Sequence, residues 1–109
     1  GKNFYKSGPR GPWMVSADEI PDPAALELTT RLNGETVQHS TTDMLLFTVP
    51  YIISYISRFT PLEPGDVIAT GTPSGVGARR NPPLWMKAGD RIEVEISKVG
   101  TLWADVVDE

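Results

Sequence analysis

The 109-residue sequence contains no cysteine, which removes disulfide frameworks and thiolate metal sites together. It has one histidine, His39, so no multi-histidine metal site can be built within one chain, and a Ser-His-Asp triad would depend on that residue alone. Positive charge is also scarce. Ten Lys and Arg stand against fourteen Asp and Glu, giving a formal charge of −4 and a pI near 4.9, far from the basic footprint that a phosphate backbone requires. Nucleic acid is therefore not an expected partner. No apolar run approaches the ~20 residues of a membrane helix, and the N-terminus lacks the basic and then apolar pattern of a secretory leader. The expectation is a chain without a membrane partner, located in the cytoplasm, where disulfides are dispensable.

What is present reads as one folded domain, with 39% hydrophobic and 22% charged residues and three each of Trp, Tyr and Phe. Gly8, Pro9, Gly11 and Pro12 break helix and sheet ladders, so the chain opens on an irregular loop. Residues 13–15 form a short apolar strand candidate, 16–19 a single helical turn, and Pro21 and Pro23 end it. The pattern LELTTRL over 26–32 alternates, Asn33-Gly34 follows, and ETVQHS over 35–40 alternates again. That predicts a hairpin with a type I′ turn, whose two φ > 0 positions Asn-Gly suits.

Thr41, Thr42 and Asp43 offer oxygen caps ahead of an apolar run that predicts a helix over 48–59, with Val49, Ile52, Ile53 and Ile56 on one face. Pro50 fits its first turn and Pro61 marks its end, while its β-branched content requires tertiary packing to hold it. Two Gly-Asp turns, at 65–66 and 89–90, each precede a predicted strand: VIAT at 67–70 and RIEVEI from 91. They are too dissimilar elsewhere to be a repeat. A second hairpin pairs 91–97 with 101–107. The predicted class is mainly β with one helix, an α+β arrangement.

Few residues suggest chemistry by themselves. The loop TGTPSGVG at 70–77 can aim backbone N–H groups at a carboxylate or oxyanion, with two threonine hydroxyls flanking Gly71. It lacks the ending of a P-loop and the spacing of a dinucleotide fingerprint, and a tight strand exit explains it as well. Lys2 could pair with a substrate carboxylate or enolate oxygen, although an isolated surface lysine is ordinarily solvated. Glu93 and Glu95 share one strand face, but the alternation that points Ile92, Val94 and Ile96 inward turns both glutamates to water and argues against a metal role. His39 has no catalytic partner in its neighbourhood. Arg79-Arg80 reads as a solvated pair, and Trp13, Trp85 and Trp103 as core or interface.

The motifs taken together go further. GK-x-F at 1–4, GPW at 11–13, ADEIPDP at 17–23, RLNGE at 31–35, SYISRFTPLEPGDVIATGTPSGVG at 54–77 and AGDRIEVEI at 88–96 resemble the fumarylacetoacetate hydrolase family, in order and nearly end to end. The resemblance implies the C-terminal part of a catalytic domain over residues 1–109, folded as a portion of a mixed β-roll. It implies enzymes that cleave or rearrange small β-dicarbonyl and 2-oxo acids, typically as homodimers with Mg²⁺ or Mn²⁺. In such enzymes a cation held by two glutamates and an aspartate chelates the 2-oxo carboxylate and stabilises the enolate released by C–C cleavage.

Residue by residue, Lys2 matches the family lysine that neutralises substrate oxygen charge. Thr72 matches the threonine that binds the substrate carboxylate, helped by the Gly71 backbone. His39 does not match the family's catalytic histidine, and Lys6 stands where many members carry a threonine. The carboxylate ligands belong upstream of GK-x-F, so no metal ligand is expected in this chain. It is expected to be inactive alone and to act as a homodimer or paired with an N-terminal half. Hydrolysis of the fumarylacetoacetate or acylpyruvate type is the first expectation. Isomerisation or decarboxylation of the 2-hydroxyhepta-2,4-diene-1,7-dioate type, or a non-catalytic assembly role, are the alternatives.

Overall fold

A computed structural model describes residues 8–108. Its framework is two hairpins laid side by side. The first joins β1 (Glu27–Leu32) to β2 (Glu35–Thr41) through Asn33 and Gly34, whose φ values of 52° and 84° are those of the turn predicted for Asn-Gly. The second joins β3 (Arg91–Ile96) to β4 (Gly100–Asp105). The sheet is antiparallel throughout, in the order β2-β1-β3-β4, which leaves β2 and β4 as edges. Asn33 ties the hairpins together: its backbone N–H donates to Arg91 O at 2.8 Å, its side-chain oxygen accepts from Arg91 N at 2.8 Å, and its Nδ2 donates to Asp90 Oδ1 at 2.9 Å.

Strand alternation sorts the two faces. Leu28, Thr30 and Leu32 lie opposite Ile96, Val94 and Ile92, and Leu102 and Ala104 continue that apolar face on β4. The other face is polar. There Arg31 pairs with Glu95 at 2.7 Å, Arg91 pairs with Asp105 at 2.7 Å and stacks over the Trp103 ring at 4.5 Å, and Thr29 hydrogen-bonds His39. One irregularity interrupts the pattern. Thr30 faces Gln38 but Arg31 faces Thr36, so Val37 is an extra residue, a β-bulge in β2.

The helix α1 spans Val49–Ile56, shorter than the sequence pattern predicts. Thr48 caps it, accepting from Tyr51 N at 3.4 Å, while Thr41, Thr42 and Asp43 belong instead to a separate 3₁₀ turn at Thr42–Met44. Ile53 is 44% exposed and does not join Val49, Ile52 and Ile56, which are half-buried. No strand packs extensively against this helix, the extensive contacts between elements being strand to strand. Local features add support: the cap, and a ladder of rings at four-residue spacing, Phe47–Tyr51–Tyr55–Phe59, with centroids 5.1, 6.4 and 5.5 Å apart. No helix among the described residues is long and apolar enough to cross a membrane.

Three further expectations are corrected. Residues 13–15 and 67–70 form no strand and have no ladder partners among the described residues. Of the core and interface readings of the Trp residues the structure excludes the core, each being more than half exposed. Trp13 instead donates to Val99 O at 2.7 Å and lays its ring where a Cβ on Gly100 would stand, pinning the entry loop to the second hairpin. Among the described residues Leu26 is the one buried hydrophobic side chain, so the apolar sheet face is incompletely covered from within.

Candidate functional site

The apolar face of the sheet forms the floor of a cleft of about 840 Å³, and the loop 70–77 with Leu84, Trp85 and Met86 forms its wall. Leu28, Leu32, Ile92 and Val94 supply the floor; polar groups come from Gly71, Thr72 and Gln38 at the rim and Thr30 in the floor. The glycines of the loop have distinct reasons. Gly75, at φ 97°, sits so close to β2 that a Cβ would overlap the Val37 carbonyl, whereas Gly71, at φ 124°, has open space where its Cβ would point. The first glycine lets the loop press against the bulge, and the second leaves a backbone that a ligand can approach.

Two side chains fasten this loop. Gln38 Nε2 reaches Thr72 Oγ1 at 3.2 Å, Pro73 O at 2.9 Å and Ser74 O at 3.3 Å. Arg80 donates through Nε to Gly75 O at 3.0 Å and through its terminal nitrogen to Val37 O. Arg80 is thus half-buried and engaged, not the solvated residue that the Arg79-Arg80 pair suggests. The sequence hides both fasteners, Gln38 inside an ordinary alternating polar strand and Arg80 inside a charge pair. The one available signal was the cluster of glycines at 71, 75 and 77, which implies a backbone pressed against a neighbour.

Of the expected site residues, Thr72 and Gly71 lie together at the cleft, both exposed. Lys2, and Lys6 with it, falls outside the described residues. His39 is on the opposite face, bonded through Nδ1 to Thr29 Oγ1 at 3.1 Å. Glu95 is engaged by Arg31 on that polar face, where the strand alternation also puts Glu93. Among the described residues no group of three or more His, Asp and Glu converges, so they do not fit a resident divalent cation.

Resolved electrostatic perturbations lie elsewhere too. Asp90 is buried, and the Asn33 amide and then the Lys87 backbone N–H hold its carboxyl below the usual carboxylate range. Arg91 lowers Asp105 and is itself raised by it. These groups organise the hairpins, not the cleft.

The site is thus an antiparallel sheet with a glycine-bounded polar rim over an apolar cleft. The chain belongs to the fumarylacetoacetate hydrolase family: the family model for the fumarylacetoacetate (FAA) hydrolase C-terminal domain matches residues 1–107. It is 43% identical over 107 residues to oxaloacetate tautomerase Fahd2a, mitochondrial, of Rattus norvegicus, covering 98% of this chain and 34% of the relative. It superposes on maleylpyruvate hydrolase from Sphingobium sp. SYK-6 in complex with manganese(II) ion and pyruvate, with a TM-score of 0.80 and 41% identity over 89% of this chain and 34% of that one. A 2-hydroxyhepta-2,4-diene-1,7-dioate isomerase from Mycobacterium marinum matches with a TM-score of 0.76 and 42% identity, covering 89% and 34%. The chain spans about a third of the length of the relatives it matches.

Proposed function

We propose that this chain supplies one wall of the pocket of an enzyme acting on small 2-oxo carboxylates, and that Gly71 and Thr72 hold the carboxylate end. The observation that carries this reading is the pairing of an open, left-handed Gly71 with the Thr72 hydroxyl at the polar rim of an apolar cleft. A hydroxyl and a backbone N–H are neutral donors suited to an acceptor-only carboxylate, and the apolar floor strengthens such bonds by thinning the water around them. Lys2 would neutralise charge on a second substrate oxygen. Oxaloacetate, maleylpyruvate and pyruvate, the compounds named with the relatives, all carry a carboxylate beside a carbonyl.

Within this reading the reaction is hydrolysis of a C–C bond of the fumarylacetoacetate or acylpyruvate type. A second reading, isomerisation or tautomerisation, is favoured by the tautomerase and isomerase among the relatives. Both keep the same carboxylate grip. A Mg²⁺ or Mn²⁺ cofactor, a β-roll completed by residues beyond this segment, and pairing as a homodimer belong to the same proposal, and the described residues contribute no cation ligand set to it.

The test uses the full-length polypeptide that carries this segment. Thr72→Ala and Lys2→Ala are each expected to lower turnover by roughly 10², the loss of one contact to a charged oxygen. Wild-type kinetics in both would remove the assignment. Product analysis with acylpyruvates, dienoic diacids and oxaloacetate separates cleavage from isomerisation.

A further inference from the structure

We propose that Gln38 is a positioning residue that fixes the direction of the Thr72 hydroxyl proton, making the site a donor toward its ligand. This rests on the carboxylate reading above. The orientation of the Gln38 amide follows from its surroundings. Pro73 O and Ser74 O are carbonyls, which only accept, so the amide end facing them must be the NH₂ group. The same nitrogen lies 3.2 Å from Thr72 Oγ1 and shares its two protons among the three oxygens; having no lone pair to offer, it leaves Thr72 only the accepting role there.

A hydroxyl has one proton and two lone pairs. With one lone pair taken by a group that cannot accept, the Thr72 proton has to point away from Gln38, and Gln38 is the hydrogen-bonding partner of this oxygen among the described residues. What remains for it on the cleft side is water or a ligand acceptor. A bare threonine rotates freely and can present either a proton or a lone pair; this one presents a proton.

The bulge explains how a strand residue comes to do this. The extra residue Val37 breaks the alternation of β2, and both Val37 and Gln38 line the cleft. Arg80 then ties Gly75 O to Val37 O, so one end of the loop is fixed to the bulge by Arg80 and the other by Gln38. Arg80 makes no contact with Thr72 Oγ1, which provides a control: loosening the loop there disturbs its packing and leaves the hydroxyl's partner intact.

The experiment measures competitive inhibition of the full-length polypeptide by pyruvate and by methyl pyruvate, its uncharged ester, in Gln38→Glu, Gln38→Leu, Arg80→Met, Thr72→Val and the Thr72→Val/Gln38→Glu double variant. The carboxylate introduced by Gln38→Glu would draw the Thr72 proton to itself and repel a bound carboxylate. The Q38E variant is therefore expected to weaken pyruvate by about 10- to 100-fold and the ester by much less, so the ratio of the two inhibition constants moves at least about 10-fold. Q38L, of similar size and uncharged, is expected to move the ratio the same way by a smaller factor, and decides the matter if Q38E does not fold.

R80M is expected to leave the ratio at the wild-type value, and the double variant to fall short of the sum of the two single effects, since only the direct repulsion by the new carboxylate persists without the hydroxyl. An unchanged ratio in both Gln38 variants, or the same change in R80M, overturns the positioning role. If T72V itself binds pyruvate like wild type, the carboxylate reading fails instead, whatever Gln38 does.

Discussion

The chain contains the same turn twice, with different results. In Glu63-Pro64-Gly65-Asp66 and in Lys87-Ala88-Gly89-Asp90, the aspartate N–H donates to the carbonyl of the first residue, at 3.1 and 3.0 Å, and its Oδ2 accepts that residue's N–H at 2.9 Å in both. The glycines match as well, with φ of 102° and 90°. The turn at 87–90 delivers β3 into the centre of the sheet, where β1 and β4 pair with it on both sides. Asp90 is buried there and takes a further bond from Asn33, while its carbonyl accepts from Val106 N at 2.8 Å. The turn at 63–66 delivers residues 67–70, which join no ladder among the described residues and leave Val67 67% exposed. A turn is therefore encoded locally, whereas a strand requires a neighbour, and among the described residues 67–70 has none. That segment leads directly into Gly71 and Thr72.

Hydrogen exchange gives the largest expected contrast. In the isolated chain, amides 92–96, locked in the middle of the sheet, are expected to exchange at least about 10²-fold more slowly than amides 67–70, relative to their intrinsic rates. Equal protection would show that 67–70 has a partner and would break the comparison. In the full-length polypeptide, protection appearing at 67–70 would locate that segment's missing ladder.

A smaller contrast comes from the glycines. Neither Gly65 nor Gly89 has an atom within 4 Å of where a Cβ would stand, so alanine at either position carries only the left-handed strain, about 1–2 kcal/mol. Gly89→Ala is expected to lower the global unfolding free energy of the sheet by that amount in urea titration, because the turn feeds a central strand. Gly65→Ala is expected to leave the same transition within about 0.5 kcal/mol, since the strain can relax by local opening of a segment that the sheet does not hold. Equal losses would mean that 63–70 folds with the sheet.

The legible parts of the molecule are those decided within a few residues. Asn33-Gly34 specifies its hairpin by backbone conformation, RIEVEI specifies its faces by alternation, and both Gly-Asp turns form as read. The illegible parts depend on distant partners or on an insertion. The Val37 bulge leaves no compositional trace, because the strand on either side alternates normally, yet it is what aims Gln38 at the loop. The strand expected at 67–70 has the right residues and lacks the ladder. The helix cap is misplaced in sequence because Thr41, Thr42 and Asp43 are good caps by type, and only the fold shows that they lie at a separate 3₁₀ turn, with no side-chain cap bond, before Thr48 starts α1. For the site, Thr72 and Gly71 are visible through family motifs, while their support is not: an amide and a guanidinium are read as surface groups until the loop folds over them.

The smallest expected effect is the acid response of the turn at 87–90. The folded-state pKa of Asp90 lies below its ordinary value, first because of the Asn33 side chain and then the Lys87 backbone N–H, so the ionised form is the one the fold prefers. The sign follows: this contribution is fully present above the unfolded pKa of about 3.9 and is lost as pH falls through the lower, folded value. Asp105, lowered by Arg91, acts in the same sense at the far side of β3. The effect is limited because protonation leaves the backbone bond from Asp90 N to Lys87 O in place. Thermal melts between pH 5 and pH 2 are expected to fall on the acid side, and Asp90→Asn, which cannot titrate, is expected to flatten that limb while leaving the share due to Asp105. An unaltered limb in D90N would show that the turn feeding β3 is no more tightly bound to the sheet than its counterpart at 63–66.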